Sequence, residues 1–302
     1  MGVLEHSASG RREALASDLL IGRDAACFLR LSDGRASAVH ARLRWTGECW
    51  AVRDLGSRNG TWLNRVRLES VEERLVPPGA VLDFGHPGER WTLTHDGPPG
   101  ALAVCLSDGR RREAVHDMIV LPGEEAPELV VCCDGRDWQL EQDAASRAVA
   151  DQEVVNAGGV AWRLYLPVIS ERTRQTDEAL PELSITSAWF RVSQDEEHVD
   201  LTLRWPGGET HLEPRAHLYA LLTLARMRLA AEDRADGERG WIEVDRLARM
   251  LGTDRKTLNV HLWRAREQVA KAGFSDVSPL LERRHLSAQI RIGLADLHIT
   301  RF

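Results

Sequence analysis

The sequence of 302 residues lacks any long apolar run. No stretch approaches the roughly 18 residues that a membrane-spanning helix needs, so a helical membrane protein is excluded. Residues 1–12, which include Glu5 and His6, also lack the apolar core of a signal peptide. Cysteine is scarce as well: there are five, an odd number without paired spacing, which excludes a disulfide framework. Together these absences predict a cytoplasmic protein.

Lysine is nearly missing, because Lys256 and Lys271 are the only two among 39 basic residues. This bias is typical of a GC-rich bacterial genome. The sequence also has no Gly-rich nucleotide loop, paired-carboxylate motif or nucleophile elbow, which disfavours an enzyme. No cofactor or metal is expected either, since His211 and His217 have a poor spacing for metal ligation.

The net charge of -7 is unevenly distributed along the chain. Residues 98–182 contain 8 basic and 16 acidic residues, whereas residues 241–302 contain 11 basic and 7 acidic ones. The net charge of the whole chain argues against a polyanionic partner. The basic C-terminal segment, which follows an acidic middle, is nevertheless compatible with such a partner.

The order of turn signals and apolar patterns predicts a multi-domain protein. Short alternating runs separated by turns such as Asn59-Gly60 fill residues 19–95 and predict an all-β sandwich. We place this domain at residues 1–97, a β-rich acidic middle segment at 98–169, and a linker at 170–182. A degenerate second sandwich is one interpretation of the middle segment. Residues 183–302 change to strands, helices and a closing hairpin, the order of an α+β winged helix.

Three separated motifs in the first domain match a known pattern in order, spacing and residue type. They are Gly22-Arg23, Ser37-Ala38-Val39-His40, and Ser57-Arg58-Asn59-Gly60-Thr61 followed by Asn64. With Asp54-Leu55 and Leu82-Asp-Phe-Gly85, they resemble the forkhead-associated (FHA) family, over about residues 15–95. The resemblance implies a β-sandwich whose loops at one end bind phosphothreonine peptides.

The resemblance also implies residue roles. Arg23 and Ser37 would contact the phosphate, Asn59 would hold the peptide backbone, and Arg58 would line the same loop. Arg35 would tune the choice of the residue three beyond the phosphothreonine. An architectural role is implied for Gly22, His40, Gly60, Thr61 and Asn64. A phosphothreonine, with nearly two negative charges and three acceptor oxygens, suits a guanidinium fork and a hydroxyl donor.

Two alternative interpretations stay open for this domain. In the first, the Arg, Ser and Asn residues are ordinary turn residues. In the second, the fold binds an unphosphorylated partner.

The C-terminal segment resembles the winged-helix effector domain of OmpR/PhoB-type response regulators. The resemblance rests on Leu212-Glu-Pro-Arg215, Trp241-Ile-Glu-Val-Asp-Arg-Leu247, the run from Lys256 to Arg266, and Arg291-Ile-Gly293. Leu258, Leu262, Ala265 and Val269 form the expected buried stripe of its third helix. The resemblance implies that the opposite face of this helix enters the major groove of DNA.

The candidate DNA contacts are cationic or polar residues of this helix and of the hairpin: Lys256, Thr257, Asn259, Arg264, Lys271, Arg283 and Arg284. Val260 and Trp263 lie on the same helix, and Trp is enriched at protein interfaces. A winged helix that binds a protein is therefore the alternative.

The sequence as a whole predicts a bacterial signalling and transcription regulator. Its first domain would read phosphothreonine on a partner, such as a Ser/Thr kinase or its substrate, and its last domain would bind DNA. The alternative is an adaptor in a Ser/Thr kinase pathway that binds no DNA. No membrane partner is expected.

Overall fold

The structure is a computed structural model that describes residues 1–70, 72–85, 89–133, 137–142, 145–168, 181–274, 277–284 and 288–302. By compactness the chain divides into two units, residues 1–103 with 164–168, and residues 104–163 with 169–302. The domain boundaries expected after residues 97, 169 and 182 stay predictions, and most of the linker lies outside the described residues. No described helix is both long enough and apolar enough to cross a membrane.

The first unit contains the predicted β-sandwich. Its strands are β1 Val3–His6, β2 Arg12–Ala14, β3 Asp18–Gly22, β4 Leu29–Arg30, β5 Ala41–Trp45, β6 Trp50–Asp54, β7 Thr61–Leu63, β8 Val66–Arg67, β9 Glu73–Val76, β10 Val81–Phe84 and β11 Arg90–His95. They form a six-stranded sheet, β2-β1-β11-β10-β7-β8, and a five-stranded sheet, β4-β3-β5-β6-β9. The predicted alternation is confirmed where Ala41, Leu43 and Val52 are buried, and Trp50, Leu82 and Trp91 complete this core.

Eight further strands follow. They are β12 Leu102–Cys105, β13 Arg111–Glu113, β14 Met118–Leu121, β15 Leu129–Cys133, β16 Trp138–Gln142, β17 Ala145–Ala148, β18 Val154–Ala157 and β19 Val160–Tyr165. One sheet has the order β13-β12-β19-β18 and the other β14-β15-β16-β17. The predicted strands in residues 102–166 are thus present, while the idea of a second sandwich stays a prediction.

The rest of the second unit mixes strands and helices. Its elements are β20 Ser187–Val192, β21 Val199–Trp205, β22 Gly208–Leu212, α1 Leu218–Leu229, β23 Ile242–Glu243, α2 Val244–Met250, α3 Arg255–Lys271, β24 Leu281–Arg283, β25 Gln289–Ile292 and β26 Leu297–Arg301. Short 3-10 helices lie at Leu183–Ile185, Asp236–Glu238 and Ser278–Leu280. The sheets are β22-β21-β20-β26, in which β26 runs parallel to β20, and β23-β25-β24.

The helices follow from local signals. Helix α3 begins after Asp254, whose side chain accepts a hydrogen bond from the amide of Thr257. The predicted buried stripe of α3 is confirmed, since Leu258, Ala265 and Val269 are fully buried and Leu262 nearly so.

Tertiary contacts accompany two element boundaries. Helix α2 begins only at Val244, because Ile242 pairs with Ile290 in the sheet. Strand β25 ends at Ile292. At the next residue, Gly293, a side-chain Cβ would lie 1.9 Å from the carbonyl oxygen of Pro279, so glycine is required for this close approach of the two backbones.

Candidate functional site

Two loops at one end of the first unit are hydrogen-bonded to each other. The amide of Arg58 donates to the Ser37 hydroxyl oxygen (3.0 Å), and the Asn59 side-chain amide donates to the Arg35 carbonyl oxygen (2.8 Å). Arg35, Arg58 and Asn59 are exposed, and Ser37 is half-buried. Two of the motifs separated in sequence therefore form one surface.

Arg23 joins this surface from the end of β3. Its amide donates to the Ser37 carbonyl oxygen (3.1 Å), and its Nε donates to the Ala36 carbonyl oxygen (2.6 Å). The Nε contact fixes the guanidinium plane and leaves both terminal NH₂ groups for an anion. At Gly22 a Cβ would lie 2.1 Å from the Ala38 carbonyl oxygen, so glycine is required for this approach.

His40 braces both loops from below. Its ring is fully buried, Nδ1 accepts a hydrogen bond from the Ser37 amide (3.0 Å), and Nε2 lies 3.1 Å from the Gly60 carbonyl oxygen. These partners require a neutral ring that is protonated on Nε2. Burial lowers the pKa of His40, which outweighs the opposite effects of the Gly60 carbonyl and Asp54.

A buried carboxylate shapes the loop that carries Asn59. Asp54 accepts hydrogen bonds from the hydroxyls of Ser57 (2.6 Å) and Thr61 (2.7 Å) and from the Gly56 amide (2.9 Å). Burial alone would raise the pKa of Asp54, but these hydrogen bonds outweigh burial and hold it below its ordinary value. Gly60 then turns the chain with φ of +83°, and its amide donates to the Ser57 hydroxyl.

Two more residues anchor the surroundings. Asn64, in the turn between β7 and β8, accepts a hydrogen bond from the Val81 amide (2.9 Å) through its side chain. Glu89 is buried and accepts from the amides of Ser32 (2.8 Å) and Asp33 (2.6 Å), which fixes the start of the Arg35 loop. Sequence reasoning missed Glu89, since its partners lie more than fifty residues earlier in the chain.

Arg67 is a further cation that the motifs did not indicate. It is exposed on β8, and a Cβ placed on Gly60 would lie 2.5 Å from its Nε. The short β7–β8 hairpin brings Arg67 back beside the Asn59–Gly60 loop, opposite Trp62. Together with Arg23, Arg35 and Arg58, it makes this end of the sandwich strongly cationic and suited to an anionic ligand.

The candidate DNA contacts of the second unit differ in their exposure to solvent. Lys256, Thr257, Arg264 and Lys271 are exposed on α3, and Lys271 pairs with Glu267 at 2.5 Å. Asn259 and Val260 are half-buried.

The hairpin and Trp263 differ from their expected exposure. The Arg283 side chain is 7% exposed and lies 3.1 Å from the Glu141 carboxylate, so it is buried rather than free for a groove of DNA. Arg284 pairs with Glu238 (2.7 Å) and lies over the Trp241 ring. Trp263 is 7% exposed, since it lines a small cavity with residues of β15 and β16. Residues 285–287, at the turn of the hairpin, lie outside the described residues.

Comparisons with known proteins match the first unit. The FHA domain family model matches residues 19–85. "FHA domain-containing protein FhaB" of Mycolicibacterium smegmatis is 42% identical over 84 residues, which are 28% of this chain and 53% of that protein. The protein of the same name from Mycobacterium tuberculosis (strain H37Rv) is 40% identical over the same shares. The chain thus matches about half the length of these curated relatives.

Solved structures give matches of similar extent. One, from "Structural and functional analysis of phosphothreonine-dependent FHA domain interactions", is 29% identical with a TM-score of 0.27, covering 31% of this chain and 94% of that one. Another, "Mycobacterium tuberculosis EmbR in complex with low affinity phosphopeptide", is 26% identical with a TM-score of 0.29, covering 32% of this chain and 24% of that one.

Proposed function

Residues 19–85 are an FHA domain, and from this premise we propose that the chain reads phosphothreonine in a partner protein. The observation that carries the proposal is the hydrogen-bonded pair of loops around Ser37 and Asn59. These bonds use one acceptor site of Ser37 and the Nε of Arg23, and so leave a hydroxyl donor and two NH₂ groups for a ligand.

Each residue of the surface has a role in this proposal. The two terminal NH₂ groups of Arg23 bind two phosphate oxygens, which is the geometry that a guanidinium favours. The Ser37 hydroxyl donates to a third oxygen. The amide of Asn59 is held by the Arg35 carbonyl, so its remaining donor and its oxygen pair with the backbone of the peptide. Arg35 and Arg58 add long-range attraction and select neighbouring side chains of the peptide.

A binding assay on the full chain tests the proposal. The probe is a fluorescent library of degenerate phosphothreonine peptides, compared with phosphoserine and unphosphorylated libraries. We expect binding of the phosphothreonine library alone and its loss in Arg23→Ala. Arg12→Ala removes an exposed arginine of β2 and serves as the matched control. Unchanged binding in Arg23→Ala would overturn the proposed site.

We further propose that the partner belongs to a Ser/Thr kinase pathway, either the kinase itself or its substrate. The similarity to the mycobacterial FHA domain-containing proteins supports this proposal. Co-purification with and without phosphatase treatment tests it, because a genuine partner is lost on dephosphorylation.

For the second unit we propose DNA binding by a winged helix. The order of sheet, α1, β23, α2, α3 and the β24–β25 hairpin supports it, as do exposed Lys256 and Arg264 on α3. The pKa of His217 is lowered first by burial and further by the neighbouring His261, Arg264 and Arg215, against the hydrogen bond that its ring donates to the Gln268 side-chain oxygen. The nearby guanidinium groups of Arg215 and Arg264, and not the pKa shift itself, supply positive charge of the kind that attracts phosphates.

A mobility-shift series against salt concentration tests DNA binding. We expect duplex binding at low salt, and Arg264→Ala is expected to reduce the slope of log affinity against log salt by about one unit. Arg249→Ala on α2 is the control. If the protein binds no duplex at low salt, the proposal of DNA binding is refuted.

The adaptor remains the second candidate. Burial against β15 and β16 removes Trp263 as its contact and leaves half-buried Val260 of the two residues predicted for a protein interface. A Val260→Ala variant that loses a protein partner, in a chain that never shifts DNA, supports the adaptor.

A further inference from the structure

Strands β15 and β16 lie against α3 within the second unit. Met118 of β14 and Cys132 of β15 belong to the same apolar cluster as Leu258 and Leu262 of α3, and half-buried Val130 packs against that cluster. The sheet β14-β15-β16-β17 therefore covers one side of the helix proposed to read DNA.

A buried ion cluster fastens this sheet to the helix. Glu141 of β16 receives a two-pronged contact from Arg266 of α3, with Nη1 to Oε2 at 2.7 Å and Nη2 to Oε1 at 2.9 Å. Arg283 of β24 adds its Nε at 3.1 Å from Oε2. The exposed fractions of the three side chains are 8%, 4% and 7%.

Glu141 is shared by two guanidinium groups. Burial by itself would raise the pKa of Glu141, but Arg266 and Arg283 lower it to about 2, so the carboxylate is ionised. Loss of the carboxylate charge would remove this shared contact between sheet and helix, and both guanidinium groups gain hydration if the sheet leaves the helix.

The contact between sheet and helix is also incompletely satisfied. Asn259 and Arg283 line a cavity of about 20 Å³ together with Glu141 and Trp263. The Oδ1 of Asn259 and the Nη1 of Arg283 are buried there without a hydrogen-bond partner in the described part of the chain. Sheet and helix thus meet through a polar cavity that is large enough for one water molecule, and not through apolar atoms alone.

Acidic side chains also face the exposed side of α3. Glu124 and Glu125, in the loop between β14 and β15, line a cleft of about 820 Å³ with Arg264 and Lys271. These carboxylates border the same cleft as the cations that would meet the phosphates of DNA in the proposed function.

We propose that the sheet β14-β15-β16-β17 is a removable cover over α3, with Glu141 as its latch, and that duplex DNA competes with it for this helix. The ligand in this proposal, duplex DNA, rests on the DNA-binding function proposed above. The opening of the cover does not depend on that function. In the covered state Asn259, Trp263 and Arg283 are occupied by the chain's own strands. In the open state they join Lys256 and Arg264 in a larger binding face.

Hydroxyl-radical footprinting of Trp263 in the full-length protein measures the opening directly. Glu141→Gln keeps the size of the side chain and removes its charge, and we expect a several-fold rise in oxidation of Trp263. Trp162 is fully buried in the same unit and reports global unfolding. Glu153→Gln, which neutralises a carboxylate paired with Arg147, is the matched control. Unchanged oxidation of Trp263 in folded Glu141→Gln overturns the cover.

Affinity for a random-sequence DNA duplex separates the two proposals. If Glu141→Gln exposes Trp263 and binds roughly tenfold tighter, as a shift from covered to open molecules predicts, both stand. If Trp263 is exposed but no duplex binds at low salt, the cover stands and the DNA function fails.

A second variant guards against simple unfolding. Met118→Asp places a charge in the apolar cluster that β14 shares with α3, away from the cavity that the ion cluster lines. Oxidation of Trp263 with Trp162 still protected supports a removable cover. If Trp162 is oxidised together with Trp263 in both variants, sheet and helix unfold as one body and the cover is overturned.

Discussion

The amide of Arg58 donates its hydrogen bond to the side-chain oxygen of Ser37 at 3.0 Å, across a gap of 21 residues in sequence. The Ser37 oxygen therefore accepts a hydrogen bond from the protein, and the proton of the Ser37 hydroxyl points away from Arg58. Ser37 is thus prepared as a donor before any ligand arrives.

Ser37→Ala is therefore expected to lower the affinity for phosphothreonine peptides by roughly ten- to hundredfold, the loss that a hydrogen bond to a charged group predicts. Titration calorimetry with a tight peptide from the library measures it. Ser37→Thr keeps the hydroxyl and should retain most of the affinity, whereas equal losses in both variants would assign Ser37 a purely structural role. Ser9→Ala, in an exposed turn, is the control.

Gly22→Ala should destabilise the first unit. Its Cβ would lie 2.1 Å from the Ala38 carbonyl oxygen, so the Arg23 and Ser37 segments must separate. A loss of about 1–3 kcal/mol is expected for such overpacking, measured by urea unfolding. Gly34→Ala is the matched control in the same loop region, because a Cβ there meets nothing within 4 Å. Equal stability of both variants contradicts the close approach.

Arg67→Ala should weaken binding of phosphothreonine peptides that contain further acidic residues, while neutral ones are spared. The guanidinium beside Gly60 is exposed, so the expected effect is about two- to fivefold and shrinks at high salt. Affinities of paired acidic and neutral peptides check this. Arg74→Ala, an exposed arginine of β9, controls for net charge. Equal losses for both kinds of peptide would show that Arg67 does not select acidic residues.

His40 should make the first unit sensitive to acid. Its folded-state pKa lies below the ordinary value of 6.5, so the unfolded chain binds the proton more readily. The stability that neutral His40 contributes is present above about pH 6.5 and is lost as the pH falls below it. Protonation would also abolish the acceptor for the Ser37 amide.

NMR of the imidazole nitrogens tests this directly. His40 should remain a neutral ring with the proton on Nε2 at pH 6.5, and free histidine in the same buffer serves as the reference. A His40 that titrates together with free histidine would contradict the buried, neutral ring.

The sequence predicted the parts of the fold that depend on local patterns. Alternation along Ala41–Trp45 and the apolar stripe of α3 follow from periods of two and 3.6 residues, so their buried faces were predictable. The pairing of the Ser37 and Asn59 loops was accessible only through the family resemblance, because neither loop has an apolar pattern.

Contacts set by distant segments were out of reach. Glu141 and Arg266 lie 125 residues apart, and nothing beside either residue indicates the other. Helical periodicity shows only which side of a helix carries the apolar stripe. Trp263 lies outside that stripe and was therefore expected on an exposed face. Its actual burial depends on β15 and β16, which come more than a hundred residues earlier. Arg67 was missed for a related reason, since the β7–β8 hairpin and not a motif brings it to Gly60.

The parallel pairing of β26 with β20 has a consequence for biosynthesis. Ala188 is in register with Leu297, and all three described helices of this unit lie between them in the chain. A ribosome must therefore release residues 297–301 before this sheet obtains its fourth strand. Pairings that span so much sequence form slowly, since a long loop must close first. The second unit is thus expected to complete its fold only after residues 297–301 have left the ribosome, when the first unit has long been available to a ligand.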